Sequence, residues 1–175
     1  MARALVVFES MYGNTEAVAR AIADGLATRV TVDTVEVGEA PAAPPGDCAL
    51  LVVGGPTHAF GMSRPSTRED AGTKTGRAIV SRGPGVREWL AALPDRSGFA
   101  AAAFDTRVAR PRMPGSAARA IARRLRRGGI GPADGPHSFF VDGSEGPLVE
   151  GELDRARAWG ASLATAVAVP AGGAS

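Results

Sequence analysis

Cysteine, lysine and histidine, three of the residue types that build reactive or metal centres, are scarce in this chain of 175 residues: one cysteine, one lysine and two histidines. The single thiol, Cys48, excludes an internal disulfide framework and any cysteine-based zinc site. His58 and His137 have no carboxylates at ligand spacing, so no metal ligand set is expected. Aromatic residues number nine: six Phe, two Trp and one Tyr. No apolar run approaches the roughly 18 residues of a membrane helix. Met1–Phe8 lacks the long apolar core and small-residue cleavage site of a signal peptide. Neither charge sign dominates, with 20 basic against 18 acidic residues, a net charge of +2 and a pI of 9.3. A domain that grips nucleic acid usually carries a denser basic face. The expectation is a cytoplasmic protein, monomeric or weakly dimeric, with neither nucleic acid nor membrane as partner. Several phosphate and nucleophile signatures are also missing. No Gly-x-x-x-x-Gly-Lys, Gly-x-Gly-x-x-Gly or Gly-x-Ser-x-Gly follows a strand. The paired acids of a phosphoacceptor domain are absent, since Glu9-Ser10 follow the first strand.

What is present reads as a packed α/β protein. Hydrophobic residues make up 45% and charged residues 22%, near the globular average. The length suits one domain, expected over residues 1–169, with 170–175 as a frayed tail. Ala4–Phe8 is an unalternating apolar run, as in a strand buried on both faces of a parallel sheet. A helix should follow, with Val18, Ile22 and Leu26 at spacing four. Val30–Val37 alternates as a second strand. Cys48–Val53 is the most apolar run and should be a central strand, ended by Gly54-Gly55-Pro56. From Thr57 to Pro84 the pattern lapses, although Ser66 and Glu69 have capping-box spacing for a short helix. Val86, Trp89, Leu90 and Leu93 predict a helix stopped by Pro94. Phe99–Phe104 reads as a fourth strand, Asp105–Pro114 as a loop, and Ser116 as the cap of a helix over Ala117–Arg127. Ser138–Val141 is a fifth strand. Glu150 to Val167 is a last helix, with Leu153, Trp159 and Leu163 on its apolar side. Cys48, Trp89 and Trp159 read as core residues and His137 as structural. Five alternations of strand and helix predict a three-layer, doubly wound, five-stranded parallel sheet.

In such a sheet ligands bind outside the carboxyl ends of the strands. Three loops lie there: Glu9–Thr15, Gly54–Gly61 and Asp105–Pro114. The first runs from a buried strand into a helix through Ser10-Met11-Tyr12-Gly13-Asn14-Thr15. Short polar side chains, a flexible Gly13 and the positive helix N-terminus suit a phosphate held without any Lys or Arg. The alternative is an ordinary turn capped by Asn14 or Thr15.

Ser10-x-Tyr12-Gly13-Asn14-Thr15-Glu16 resembles the phosphate-binding loop of the flavodoxin family, and Gly54-Gly55-Pro56-Thr57-His58-Ala59-Phe60-Gly61 resembles the loop along the flavin ring. The order of elements agrees over about residues 3–167. The resemblance implies the strand order 2-1-3-4-5 and FMN as cofactor. Ser10, Asn14 and Thr15, with the amides of Met11 to Thr15, would hold its phosphate. Pro56, Thr57, His58, Phe60 and Gly61 would lie against the ring, with His58 and Phe60 as stacking candidates. Asp105, Thr106 and Arg107 would approach the pyrimidine edge. The implied function is electron transfer between a reductase donor and an acceptor protein. The alternative is a quinone reductase or protoporphyrinogen-type oxidase of the same fold.

Two features depart from the family's pattern. Asp105–Pro114 has no aromatic residue to cover the outer ring face, which leaves Met113, Arg107 or part of Thr57–Pro84 for that task. Eight arginines also fall between Arg107 and Arg127 with no acid among them. They form either a solvated helix face in an arginine-rich composition or a docking surface for an acidic partner.

Overall fold

The computed structural model describes residues 1–76, 78–95 and 98–168. The expected tail, 170–175, lies outside them. The elements follow in the order β1 (Arg3–Phe8), α1 (Asn14–Leu26), β2 (Thr31–Glu36), β3 (Cys48–His58), β4 (Gly61–Met62), α2 (Pro65–Thr75), α3 (Val86–Ala92), β5 (Ala100–Val108), α4 (Ala117–Arg127), β6 (Gly131–Pro132), β7 (His137–Val141) and α5 (Glu152–Ala168).

The parallel sheet runs β2-β1-β3-β5, and its last position is a strand in two pieces. β6 pairs with the start of β5 (Ala100 with Gly131), and β7 pairs with its end (Phe104 with His137 through Val108 with Val141). Counted by position, this is the predicted order 2-1-3-4-5.

Because successive side chains of a strand face opposite ways, each apolar strand feeds two cores. Ala4, Val6, Phe8, Leu50, Val52 and Phe104 pack with α1 and α5, while Leu5, Val7, Leu51, Val53, Ala101 and Ala103 pack with α3 and α4. Cys48, Trp89 and Trp159 are buried as expected. His137 stacks on Trp159 with ring centroids 4.3 Å apart, a structural role. Ser116 caps α4 by accepting from the Arg119 amide at 3.2 Å.

Several boundaries differ from the expectations, each for a tertiary reason. β3 does not end at Gly54-Gly55-Pro56 but continues to His58, because Gly54 lies between Phe8 and Phe104 and pairs with both strands. A Cβ at Gly54 would sit 2.1 Å from the Phe104 ring, so this glycine is a packing requirement rather than a break. β5 likewise runs past Phe104 to Val108, held on both sides by β3 and β7. Asp105–Val108 is therefore strand, not loop.

Thr57–Pro84 is not a featureless loop. It opens with a tight hairpin, Thr57 opposite Met62 and His58 opposite Gly61, then forms α2. The start of α2 is set by Arg64 and Thr67, not by Ser66 and Glu69: the Arg64 amide donates to Thr67 Oγ1 at 2.8 Å, with Pro65 in the first helical position. Trp159 and Leu163 are buried on the apolar side of α5 as expected, joined by Ala156, but Leu153 is 40% exposed and not part of it.

Candidate functional site

The loop from β1 to α1 turns on Gly13, whose φ of +93° places it in the left-handed region that glycine adopts at least cost. Gly13 is the residue preceding the helix, and no side chain caps it, so neither Asn14 nor Thr15 serves as the cap. The first-turn amides of α1 therefore keep their free N–H groups, and the helix dipole adds partial positive charge. Ser10 Oγ accepts from the Gly13 amide at 3.1 Å, which closes the turn. The backbone of Ser10 is fixed in turn by Ser81, whose hydroxyl accepts from the Ser10 amide at 2.9 Å and whose amide donates to Ser10 O at 2.8 Å. Thr15 is buried and shares a 2.7 Å hydrogen bond with Thr106 of β5. Asn14 reaches across to the loop after β7 and donates to Glu145 O at 2.9 Å. That loop comes close because Gly146 has no side chain. A Cβ there would lie 2.6 Å from Asn14 Nδ2.

A small cavity of about 60 Å³ opens beside them, room for several water-sized groups at about 10–15 Å³ each. Ser10, Met11, Tyr12, Asn14 and Thr15 form one wall; Pro56, Thr57, His58, Thr106 and Arg107 form another. The cavity shares Thr57, Arg107 and Val108 with an apolar cleft of about 220 Å³, which Phe60, Met113 and Pro114 complete. On the other side of His58 it meets a wider cleft of about 370 Å³ against α2, where Tyr12, Asp70 and Lys74 stand.

Two non-glycine residues at positive φ, Ala59 at +44° and Phe60 at +72°, make the hairpin turn, and Phe60 is 55% exposed at its tip. A Cβ at Gly115 would lie 2.0 Å from Phe60 O, so the loop before α4 is pressed against that turn. Gly61 closes the hairpin and does not line these cavities. His58 Nδ1 is 3.2 Å from Thr67 Oγ1. Burial first, then Arg68 and Lys74, push its pKa down, so His58 is neutral near pH 7. Arg107 donates to Met113 O at 2.5 Å and braces the same loop from below.

Asp105 stands apart from the other expected site residues. It is fully buried and faces α4 rather than the cavity. Its Oδ2 accepts from Thr57 at 3.0 Å, Ser116 at 2.6 Å and the Ala118 amide at 3.0 Å. Thr57 Oγ1 accepts from the Ala117 amide at 3.0 Å. Asp105 therefore ties the Gly54–Gly61 segment and the end of β5 to the start of α4.

Sequence reasoning missed Ser81, Val108, Val141 and the loop of Ser144, Glu145 and Gly146. The last had a visible signal, since Asp142-Gly143-Ser144-Glu145-Gly146-Pro147 is a turn-rich run leaving the carboxyl end of the fifth strand. Ser81 had none, because its partner lies 71 residues away.

The likeness to known proteins follows the same lines. The flavodoxin family model matches residues 6–82, just under half of the chain. No curated protein sequence gives a significant match. Among solved structures, a flavodoxin from the domain Archaea is 22% identical with a TM-score of 0.65, covering 94% of this chain and 98% of its own. Oxidised flavodoxin 1 from Bacillus cereus is 17% identical with a TM-score of 0.67, covering 93% and 97%. A flavodoxin from Streptococcus pneumoniae TIGR4 is 21% identical with a TM-score of 0.66, covering 94% and 99%. At these identities the structures speak for the fold.

Proposed function

We propose that this chain, a flavodoxin-family protein, binds FMN at the carboxyl ends of β1, β3 and β5 and passes electrons between partner proteins. The observation that carries the reading is the uncapped, glycine-turned start of α1 beside the hydroxyls of Ser10, Thr15 and Thr106, a cradle of amides and hydroxyls whose own loop, Ser10–Thr15, contains neither Lys nor Arg. Such a cradle fits a phosphate monoester, whose charge the helix dipole and amides satisfy. Bound FMN would supply the reversible one- and two-electron chemistry.

The chain's own residues would do the rest. The amides of Met11 to Thr15, with Ser10, Asn14 and Thr15, would hold the phosphate. Pro56, Thr57, His58 and Phe60 would border the ring on one side, with Gly61 closing the hairpin that carries them, and Thr106 and Arg107 on the other. Asp105 would act through Thr57 and Ser116, as a positioning residue. The neutral His58 would offer an aromatic face without charge, and Arg107 would favour negative charge on the ring edge nearest it.

The test is an absorption spectrum of the purified protein followed by titration with FMN and with riboflavin, which lacks the phosphate. Flavin bands and micromolar or tighter binding of FMN are expected. Thr15→Val should weaken FMN by roughly tenfold or more, the worth of one hydrogen bond to a charged group, and leave riboflavin nearly unchanged. A protein that takes neither flavin overturns the proposal.

One observation supports a second reading, a flavin-dependent quinone reductase. The cleft between Phe60 and Met113 lies beside Arg107 and offers an apolar lining to a ring compound. Steady NAD(P)H oxidation with a quinone by the flavin-loaded protein alone would favour that reading. Its absence, with fast electron delivery to a cytochrome, would favour the carrier.

A further inference from the structure

Helix α4 carries five arginines and no acid, and the loop before it adds Arg110 and Arg112, both exposed. Together with Arg107, they put eight positive charges into residues 107–127. The rest of the chain holds 12 basic against 18 acidic residues, a net −6. The molecule is therefore strongly dipolar in charge although nearly neutral in sum.

An arginine-rich composition does not account for this segregation. Elsewhere arginines meet acids: Arg3 with Asp33 and Asp47, Arg20 with Glu16, Arg157 with Asp154. Among the described residues none of Arg110, Arg112, Arg119, Arg123, Arg126 and Arg127 forms an ion pair. Helix stability does not account for it either. Arg124, Arg126 and Arg127 lie in the last turn, where the dipole favours them, but Arg119 lies in the first turn, where it does not. Arg119, Arg123 and Arg127 are spaced four apart, so like charges stack along one exposed face and oppose the helix.

The stripe begins at the candidate redox edge. Gly115, just before α4, packs on Phe60, and Phe60 and Met113 are both about half exposed there. We infer that this arginine face of α4, together with the Phe60–Met113 edge, is the docking surface for an acidic electron-transfer protein. A small apolar contact beside an unpaired basic stripe suits a transient complex, steered by charge and released quickly. The inference rests on the flavin reading for its redox half and on the charge distribution alone for its docking half.

The test separates these halves. Flavin content is measured first, and a protein without flavin sinks the redox half only. An oxidised acidic b-type cytochrome and a basic c-type cytochrome then serve as probes. Binding is followed by NMR line broadening with or without flavin, and electron transfer from the reduced protein by stopped flow. The rate and affinity for the acidic probe should fall about tenfold or more between about 10 and about 500 mM salt. Arg119→Glu or Arg123→Glu should produce a comparable loss at low salt and speed the basic probe. Arg29→Glu, an equal charge change at an exposed position in the turn after α1, should do little. Both α4 variants should fold, because an acid at position 119 suits a helix start and one at position 123 would face Arg127. Equal effects of all three variants, no salt dependence, or tighter binding to duplex DNA or anionic vesicles than to the acidic cytochrome would overturn the docking surface.

Discussion

Glu9 is the least expected residue of the structure. It follows the first strand, next to Ser10 of the β1–α1 loop, and is 1% exposed. The Ser63 hydroxyl donates to its Oε2 and the Val86 amide to its Oε1 at 2.8 Å, while Arg68 binds both Ser63 and Glu88. Gly85 is required there, since a Cβ would stand 2.3 Å from Glu9 Oε1. Burial raises the carboxyl above its ordinary value of 4.5, against the opposing pull of Ser63, Val86 and Arg68. The folded chain thus holds this proton more tightly than the unfolded chain. The stability this confers is complete below the ordinary value and is lost as pH rises through the raised one. Glu9→Gln removes that titration, so its melting temperature should gain on the wild type as pH rises from about 4 to about 8. Parallel pH profiles of thermal unfolding would contradict this. No sequence signal marked Glu9, because its partners come from residues 54 to 77 positions away.

At the scale of elements, α1 and α5 cross so closely that backbone meets backbone. A Cβ at Gly160 would lie 2.1 Å from Ile22 O, and one at Gly25 would lie 2.0 Å from Arg157 O. Helix propensity alone favours Gly→Ala by up to about 1 kcal/mol. Overpacking at such a contact costs about 1–3 kcal/mol, so Gly160→Ala should lower the melting temperature by several degrees. Gly72→Ala in α2, where nothing lies within 4 Å, should raise it. Circular dichroism melts of the two variants decide the point, and a stabilised Gly160→Ala would contradict the packing account. The existence of α1, α3, α4 and α5 and of the five long strands was legible from periodicity and apolar runs, and the cap at Ser116 from local chemistry. The ends of β3 and β5 were not. Gly54 and Asp105 look like breaks until the neighbouring strands that hold them are in place.

Across the whole molecule the β1–α1 side of the candidate site was legible as a glycine-turned loop, because Ser10, Gly13, Asn14 and Thr15 are contiguous or nearly so and their turn chemistry is local. The loops that complete it were only partly so. Asp105 was expected in the cavity and instead joins Thr57 and Ser116 to the start of α4, and Ser81 and the Ser144–Gly146 loop arrive from distant parts of the chain. The segregation of charge was visible in the sequence as a run of arginines. That it forms one basic face beginning at Phe60 depends on the packing of Gly115 on the hairpin. The sequence by itself determined the layered α/β class, the strand order through family resemblance and the glycine-turned cradle, since hydrophobic period and turn chemistry act over a few residues. The tertiary structure decided where strands end, which side chains are buried with charge, and which loops meet. Those outcomes follow from contacts between residues far apart in the chain, and no local pattern encodes them.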